Sequence, residues 1–510
     1  MPTKILSAAL NGLEAIIVDV EADSGGGDFG QISIVGLPDT AISESKERIK
    51  SILRNCGLAY PRRKLTVNLV PANLKKRGPS YDLPITISIL ALKNNFKIDF
   101  KTCLLIGELS LSGDVQAVDG LLSMAIAAKQ NGINTLFIPA INTEEALMIK
   151  DLIIFPVNNI FQLIKHLQKI ELIKPATILN KSITEFNYES NEERNSFNLS
   201  EIKSQEKAKR ALEITAAGGH NLLLFGPPGS GKTLLAKALP SILPELTFDE
   251  KLEITKIYSA AGKLNKNQSL MNIRPFRSPH HSTSTSALIG GGTWPHPGEI
   301  SLAHRGILFL DEFPEFSRSA LENLRQPLEE GLININRASG SVNFPAKFIL
   351  LAAMNPCPCG YLGDKKQTCI CSLKQINNYH HRLSGPIIDR IDLHVEVPRI
   401  NLEKLQEKSN NELSIKIFQR VKLARAKQLK RFKKLPILTN AEINNSEIKN
   451  FCELDGAGYN FLKVACEKIN LSARSYFRIL KIARTIADLA DEKNISINHL
   501  AEALQYRPKI

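Results

Sequence analysis

"NLLLFGPPGSGKTLLAKAL", Asn221 to Leu239, decides the fold of this chain. Leu222 to Phe225 form a short apolar run that ends at a glycine-rich turn, and a helical pattern follows at once. A buried strand, a tight turn and a helix in that order are the setting in which G-x-x-x-x-G-K-[ST] binds phosphate. The pattern is met by Gly226, Gly231, Lys232 and Thr233, with Pro227, Pro228, Gly229 and Ser230 completing the loop. Glycines let backbone N–H groups turn inward onto phosphate oxygens, and the helix N-terminus adds its positive end. Lys232 is therefore expected to reach the β- and γ-phosphates of ATP, and Thr233 to ligand Mg²⁺.

Moving outward, "RGILFLDEF" (Arg305 to Phe313) reads as a buried strand with Asp311 and Glu312 at its C-terminal tip. Ligands bind at that edge of an α/β sheet. Asp311 is expected to hold the Mg²⁺ shell and Glu312 to polarise a water in line with the γ-phosphate. "AKFILLAAMNP" (Ala346 to Pro356) is a second apolar strand, ending in Asn355, a polar group placed to orient the attacking water. Farther on, "HRLSGPIIDRIDLHVEVP" (His381 to Pro398) leads helical residues into a last strand.

This order of motifs resembles the AAA+ class, in the branch that holds magnesium-chelatase and MCM-helicase ATPases. The resemblance implies that Asn355 is sensor 1 and that Arg390 in "DRID" is an arginine finger acting on a neighbour's γ-phosphate. Arg382 is the second choice for that role. In "LSARSYFRILKIARTIADL" (Leu471 to Leu489) the resemblance implies a sensor 2 role for Arg474, with Arg478 packing one turn later on the same helix face. A finger used in trans implies a ring, and the branch implies a homo-oligomer of six.

At 510 residues the chain has room for two or three domains, each with its own core. Residues 1–165 mix strands with amphipathic helices, an α+β domain; 166–200 are polar and aperiodic, a linker. Residues 201–398 alternate in α/β style, and 399–510 are helical, a lid over the nucleotide domain. Glu14, Asp19 and Glu21 interrupt the start, and no uncharged apolar run is long enough to span a bilayer. A cytoplasmic protein without membrane contact is expected. Sixty-five Lys plus Arg against 51 Asp plus Glu leave a net charge of +14, which favours a polyanionic partner, nucleic acid first.

Further stretches narrow the resemblance. "RPFRSPHHSTSTSALIGGG", "PGEISLAHRGILFLDEFPEF" and "LENLRQPLEEG", with "IVGLPDTAISESKERIKSIL" and "VPANLKKRGPSYDLPI" near the N-terminus, resemble the Mg-chelatase-like proteins of the YifB/ComM family over essentially the whole chain. Members of the ComM type are implied to be hexameric DNA helicases that drive branch migration in natural transformation. In the MCM-like branch, "LININRASGSVNF" (Leu332 to Phe344) would be a pore hairpin, and Arg337 the cation that tracks DNA phosphates. The alternative for Arg337 is an exposed arginine on an ordinary edge hairpin. His280 and His281 sit without Cys or carboxylate neighbours in sequence, which suits contacts to backbone or phosphate better than a metal. "RVKLARAKQLKRFKK" (Arg420 to Lys434) carries charge on nearly all sides and reads equally as a DNA contact or a solvated helix.

Eight cysteines fall into two groups. Cys56, Cys103, Cys452 and Cys466 lie within apolar patterns and read as core thiols. Cys357, Cys359, Cys369 and Cys371 form two Cys-x-Cys pairs nine residues apart, directly after Asn355. Four thiolates in so short a loop suit a structural Zn²⁺; the alternative is four free thiols.

"GPSYDLPI" (Gly78 to Ile85) resembles the serine turn of Lon-type serine–lysine proteases, so the N-terminal domain is expected to have a Lon-protease-like (S5-type) fold. That chemistry needs a lysine base. In "GELSLSGDVQAVDGLLSMAIAAKQNG" (Gly107 to Gly132), Leu122, Ser123 and Met124 stand where the lysine belongs. Lys129 lies about 10 Å farther along the helix. Ser80 is thus expected to be catalytically idle. The leading expectation is an ATP-driven DNA motor; a chelatase-like remodeller of a protein or tetrapyrrole complex is the alternative.

Overall fold

Alternating apolar residues near the N-terminus build a sheet. A computed structural model describes residues 2–25, 31–58, 63–94, 96–177, 197–264, 270–292, 295–337, 340–364, 366–399, 412–469 and 471–508, the side chains of 337 and 340 excepted. Strands β1 (Thr3–Asn11) and β2 (Glu14–Gly25) pair antiparallel, from Thr3 opposite Ala22 to Asn11 opposite Glu14. They join β3 (Ile32–Val35), β4 (Lys64–Val70), β5 (Cys103–Leu105), β6 (Thr135–Pro139) and β7 (Ile153–Val157) in one mixed sheet. Its order is β3-β4-β2-β1-β5-β6-β7. Helix α1 (Thr40–Asn55) starts at Asp39, whose carboxylate accepts from the Ile42 N–H. With α2 (Asp82–Ala91) and α3 (Leu121–Gln130) it covers the sheet, and both sheet faces carry buried aliphatic cores.

The chain forms two compact units. The first is Met1–Glu185 with Lys251–Met271 and Asn336–Asn343; the second is Phe186–Glu250, Asn272–Ile335 and Phe344–Ile510. Most of the expected linker, 178–196, and the start of the expected lid, 400–411, lie outside the described residues.

In the second unit, α4 (Glu206–Gly218) precedes β8 (Leu222–Phe225), the strand of the glycine loop, and α5 (Lys232–Ala238) follows it. Strands β9 (Phe276–Arg277), β10 (Ile307–Leu310), β13 (Ile349–Met354) and β14 (Leu393–Glu396) complete a five-stranded sheet in the order β9-β10-β13-β8-β14. Every pairing in it is parallel, and β8, β10 and β13 are apolar almost throughout, as strands covered on both faces must be. β11 (Leu332–Arg337) and β12 (Gly340–Pro345) pair as the expected hairpin. The turn and the Arg337 side chain lie outside the described residues.

Helices α6 (Leu373–His381) and α7 (Gly385–Ile388) connect β13 to β14. The C-terminal helices α8 (Ser414–Arg431), α9 (Ala473–Leu489) and α10 (Ile497–Leu504) fall where periodicity predicts. Their apolar faces share one continuous core with the sheet, from Leu222 and Leu351 to Val421, Ile479 and Leu500. In the basic α8 four cations are paired within the chain, while Lys422 and Lys430 are exposed. Arg420 pairs with Glu213, Arg425 donates to the Ala216 carbonyl, Lys427 to the Asp488 carbonyl, and Arg431 to both Asp488 carboxylate oxygens. No helix among the described residues is long and apolar enough to cross a membrane.

Candidate nucleotide site

The glycine loop leaves no room for side chains at its base. A Cβ on Gly226 would lie 2.1 Å from the Val397 carbonyl oxygen. Gly229 and Gly231 take left-handed φ values of 73° and 92°, which glycine adopts without strain. Gly231 is also the residue that opens α5.

Because β13 lies between β8 and β10, the tips of three adjacent parallel strands converge on this loop. The Lys232 ammonium, itself buried, donates to the Gly226 carbonyl at 2.6 Å, the Pro227 carbonyl at 3.0 Å and Asn355 Oδ1 at 3.2 Å. Burial pushes its pKa below the usual lysine value, and Asp311 pulls it part of the way back. The Thr233 hydroxyl donates to Asp311 Oδ2 at 2.9 Å, and the Glu312 N–H donates to Asp311 Oδ1 at 2.9 Å. Lys232, Thr233, Asp311, Glu312 and Asn355 thus come together as the sequence predicts.

The residues fit a nucleoside triphosphate with Mg²⁺. Thr233 and Asp311 are hard oxygen donors side by side, of the kind Mg²⁺ takes. Ser230 Oγ, buried in the loop, is one of the polar atoms left without a hydrogen-bond partner.

The two arginines lie elsewhere within the chain. Arg390 follows α7, bonds the Pro386 carbonyl and pairs with Glu329. Arg474, in the first turn of α9, has its nitrogen 3.8 Å from the same Glu329 carboxylate. Arg382 pairs with Glu315 at 2.6 Å, and Arg478 packs against Asp392 at 3.3 Å. Sequence reading missed Glu329; "LENLRQPLEEG" marks the stretch but not which acid meets a cation. It also missed that His281 Nδ1 stands 3.2 Å from Glu312 Oε2.

Directly after Asn355, the four clustered cysteines bring their sulfurs within 4.8 Å of one another. Cys357 and Cys359 are 3.4 Å apart, Cys357 and Cys369 3.6 Å, Cys359 and Cys369 3.5 Å. Tetrahedral Zn²⁺ with Zn–S bonds near 2.3 Å requires sulfurs about 3.8 Å apart, so the donor set fits that ion. The knuckle presses on the phosphate loop: a Cβ on Gly360 would lie 2.6 Å from the Pro228 ring. None of the eight cysteines is in a disulfide; outside the cluster, Cys103 and Cys452 are buried, while Cys56 and Cys466 are half-buried rather than fully in the core.

In the N-terminal unit Ser80 lies in a short turn, Pro79–Tyr81. Leu122, Ser123 and Met124 are buried, Ser123 donating to the Leu13 carbonyl at 2.6 Å. Lys129 is held by Asp151 at 2.9 Å. Lys76 is fully buried and donates to the carbonyls of Gly36 at 3.1 Å, Leu69 at 2.8 Å and Pro71. All three ammonium hydrogens are used, so Lys76 accepts no proton.

A parallel sheet with this strand order, a phosphate loop, an acidic strand tip and a helical C-terminal region define an AAA+ protein of the P-loop class. Within that class the chain belongs to the Mg-chelatase-like family that includes ComM and YifB. The family described as "Magnesium chelatase, subunit ChlI" matches residues 198–405, "Subunit ChlI of Mg-chelatase" residues 18–142, and the ChlI C-terminal family residues 411–507. Competence protein ComM of Haemophilus influenzae is 42% identical over 99% of this chain and 97% of its own length. YifB of Escherichia coli is 40% identical over 93% and 91%. The magnesium-chelatase 38 kDa subunit of Rhodobacter capsulatus is 28% identical over 31% of this chain and half of its own length.

Proposed function

We propose that this chain is a cytoplasmic, ring-forming ATPase that translocates on DNA and promotes branch migration of recombination intermediates in natural transformation. The observation that carries the ATPase reading is the convergence of Lys232, Thr233, Asp311 and Asn355 on one loop, with Glu312 beside them. The DNA reading draws on the net charge of +14 and on the 42% identity to a competence protein.

In this mechanism Lys232 exchanges its carbonyl and amide partners for β- and γ-phosphate oxygens. Thr233 and Asp311 would hold Mg²⁺, which would supply neutralising charge to those oxygens. Asn355 orients the attacking water, and Glu312 takes its proton. Arg390 reaches the γ-phosphate of a neighbouring subunit in a homohexamer, and Arg474 serves as sensor 2 when the ring closes. Arg337, at the end of β11, follows the phosphate backbone without reading bases. The four cysteines of the knuckle would hold a structural Zn²⁺, which would staple the loop and supply no catalytic chemistry. The N-terminal unit is a Lon-like fold without protease chemistry, a reading that the idle Lys129 and the saturated Lys76 support.

The family descriptions favour a second reading, a chelatase-like remodeller of a protein or tetrapyrrole complex. The deciding experiment is ATP hydrolysis by the purified chain with single-stranded, double-stranded and branched DNA at two salt concentrations. A DNA motor gives stimulation that falls steeply with salt, and Arg337→Ala lowers the salt slope by about one. No stimulation by any DNA replaces this reading with the remodeller.

A further inference from the structure

We propose that the four-cysteine knuckle and the phosphate loop are coupled through the contact of Gly360 with Pro228. Zinc on the knuckle then tightens nucleotide binding, and nucleotide tightens zinc binding by the same factor. The proposal rests on the two readings just given, nucleotide in the loop and Zn²⁺ on the cysteines, and adds a free energy shared between them.

The knuckle is anchored at both ends. It starts two residues beyond Asn355, whose Oδ1 accepts from Lys232 at 3.2 Å, and its first cysteine, Cys357, is fully buried. Its last, Cys371, stands next to Ser372, which caps α6 by accepting from the Gln375 N–H. The far end of α6 returns to the start, where His380 Nε2 donates to the Pro356 carbonyl at 2.9 Å. Strand tip, knuckle and helix thus close a circuit.

Between those anchors the knuckle bears on the phosphate loop. The Gly360 N–H donates to the Cys357 carbonyl at 3.0 Å, in a tight turn with φ 86°. A Cβ at Gly360 would stand 2.6 Å from both Cγ and Cδ of Pro228 and 3.8 Å from the Asn355 side chain. Backbone and proline ring therefore meet with no side chain to yield between them. Farther along, the Asp364 carboxylate, only 3% exposed, lies 3.7 Å from Arg399. Arg399 is two residues past Val397, whose carbonyl packs on Gly226.

The segment has almost no core of its own. Among its described residues from Cys357 to Cys371 only Cys357 and Gly360 are buried, and Ile370 is 87% exposed. Its shape depends on what holds the four sulfurs together. Zinc bound first removes freedom that a nucleotide pressing on Pro228 would otherwise have to remove, so the coupling is positive.

The test uses the full chain. Zinc content is read by atomic absorption, ADP affinity by a fluorescent ADP analogue, and zinc affinity by competition with a zinc-selective chromogenic chelator. Stripping zinc is expected to weaken ADP binding about tenfold, and adding it back to restore the affinity. Saturating ADP tightens zinc binding by the same factor. In Lys232→Ala, whose nucleotide site is disabled, ADP leaves zinc affinity within about twofold. Pro228→Ala keeps its zinc, but the coupling falls below about threefold. The proposal alone is overturned if stripped and loaded chains bind ADP within about twofold of each other, or if Pro228→Ala keeps the full coupling. It also falls if Lys232→Ala shows the same zinc shift, or if stripping abolishes the circular dichroism, since zinc would then hold the whole fold. A parent chain free of zinc after metal-replete expression sinks the zinc reading and the coupling together. A zinc-loaded parent that binds no ADP does the same to the nucleotide reading.

Discussion

Two lysines of this chain are buried under carbonyl oxygens, and they have opposite meanings. Lys232 in the phosphate loop and Lys76 in the N-terminal unit each donate three hydrogen bonds, and burial depresses the pKa of both. Lys232 shares its third bond with a side chain, Asn355, and has Asp311 as a nearby counter-charge. Its neighbours are glycines whose N–H groups suit a ligand. Lys76 is bonded to main-chain carbonyls alone, belonging to Gly36, Leu69 and Pro71. The first lysine has partners that can be exchanged for phosphate; the second ties the end of β3 to the end of β4. What separates a binding lysine from a staple is whether its partners are replaceable.

Breaking the comparison at its active end has the largest expected effect. Lys232→Ala should reduce ATP hydrolysis at least about a hundredfold, because no other cation in the loop meets the β- and γ-phosphates; near-normal turnover in a coupled assay would refute the site. At the other end, Lys76→Met removes the ammonium donor from three carbonyls and should destabilise the chain by about 3 kcal/mol, seen as a lower urea midpoint. Nucleotide affinity of the folded Lys76→Met protein should be unchanged, and a fall in it would show that the staple and the loop are not separate devices.

A smaller effect is expected at the cysteine knuckle. The purified chain should carry about one zinc by atomic absorption, and Cys369→Ser should lose it and melt several degrees lower. A parent protein free of zinc after metal-replete expression would leave free thiols as the correct reading. Smallest of all is Ser80→Ala, expected to change neither ATP hydrolysis nor stability by a measurable amount. Peptide cleavage that disappears in Ser80→Ala would restore the protease reading.

The phosphate loop, the acidic strand tip and Asn355 were legible because each is a local pattern: an apolar run that stops at a polar residue says where a strand ends and which group stands at its tip. The four cysteines were legible for the same reason, being close in the chain before they are close in space. What escaped depends on register and tertiary approach. Glu329 meets Arg390 from 61 residues away. His281 meets Glu312 only because two short parallel strands align. The saturation of Lys76 needs the end of β3 brought against the end of β4, and in "VPANLKKRGPS" it looks like any lysine of a basic turn. The charges of α8 stayed open between a DNA contact and a solvated face because periodicity locates a helix face but not the acids and carbonyls that meet it.

Glu329 also has a consequence for the charge balance of its surroundings. One carboxylate faces two guanidiniums, so these three groups alone sum to +1, and one arginine is always in surplus. Arg390 holds the close contact, whereas the Arg474 side chain is 3.8 Å away and 63% exposed. An anion arriving from outside therefore meets Arg474 first, and drawing it away leaves a neutral pair behind rather than a bare buried charge.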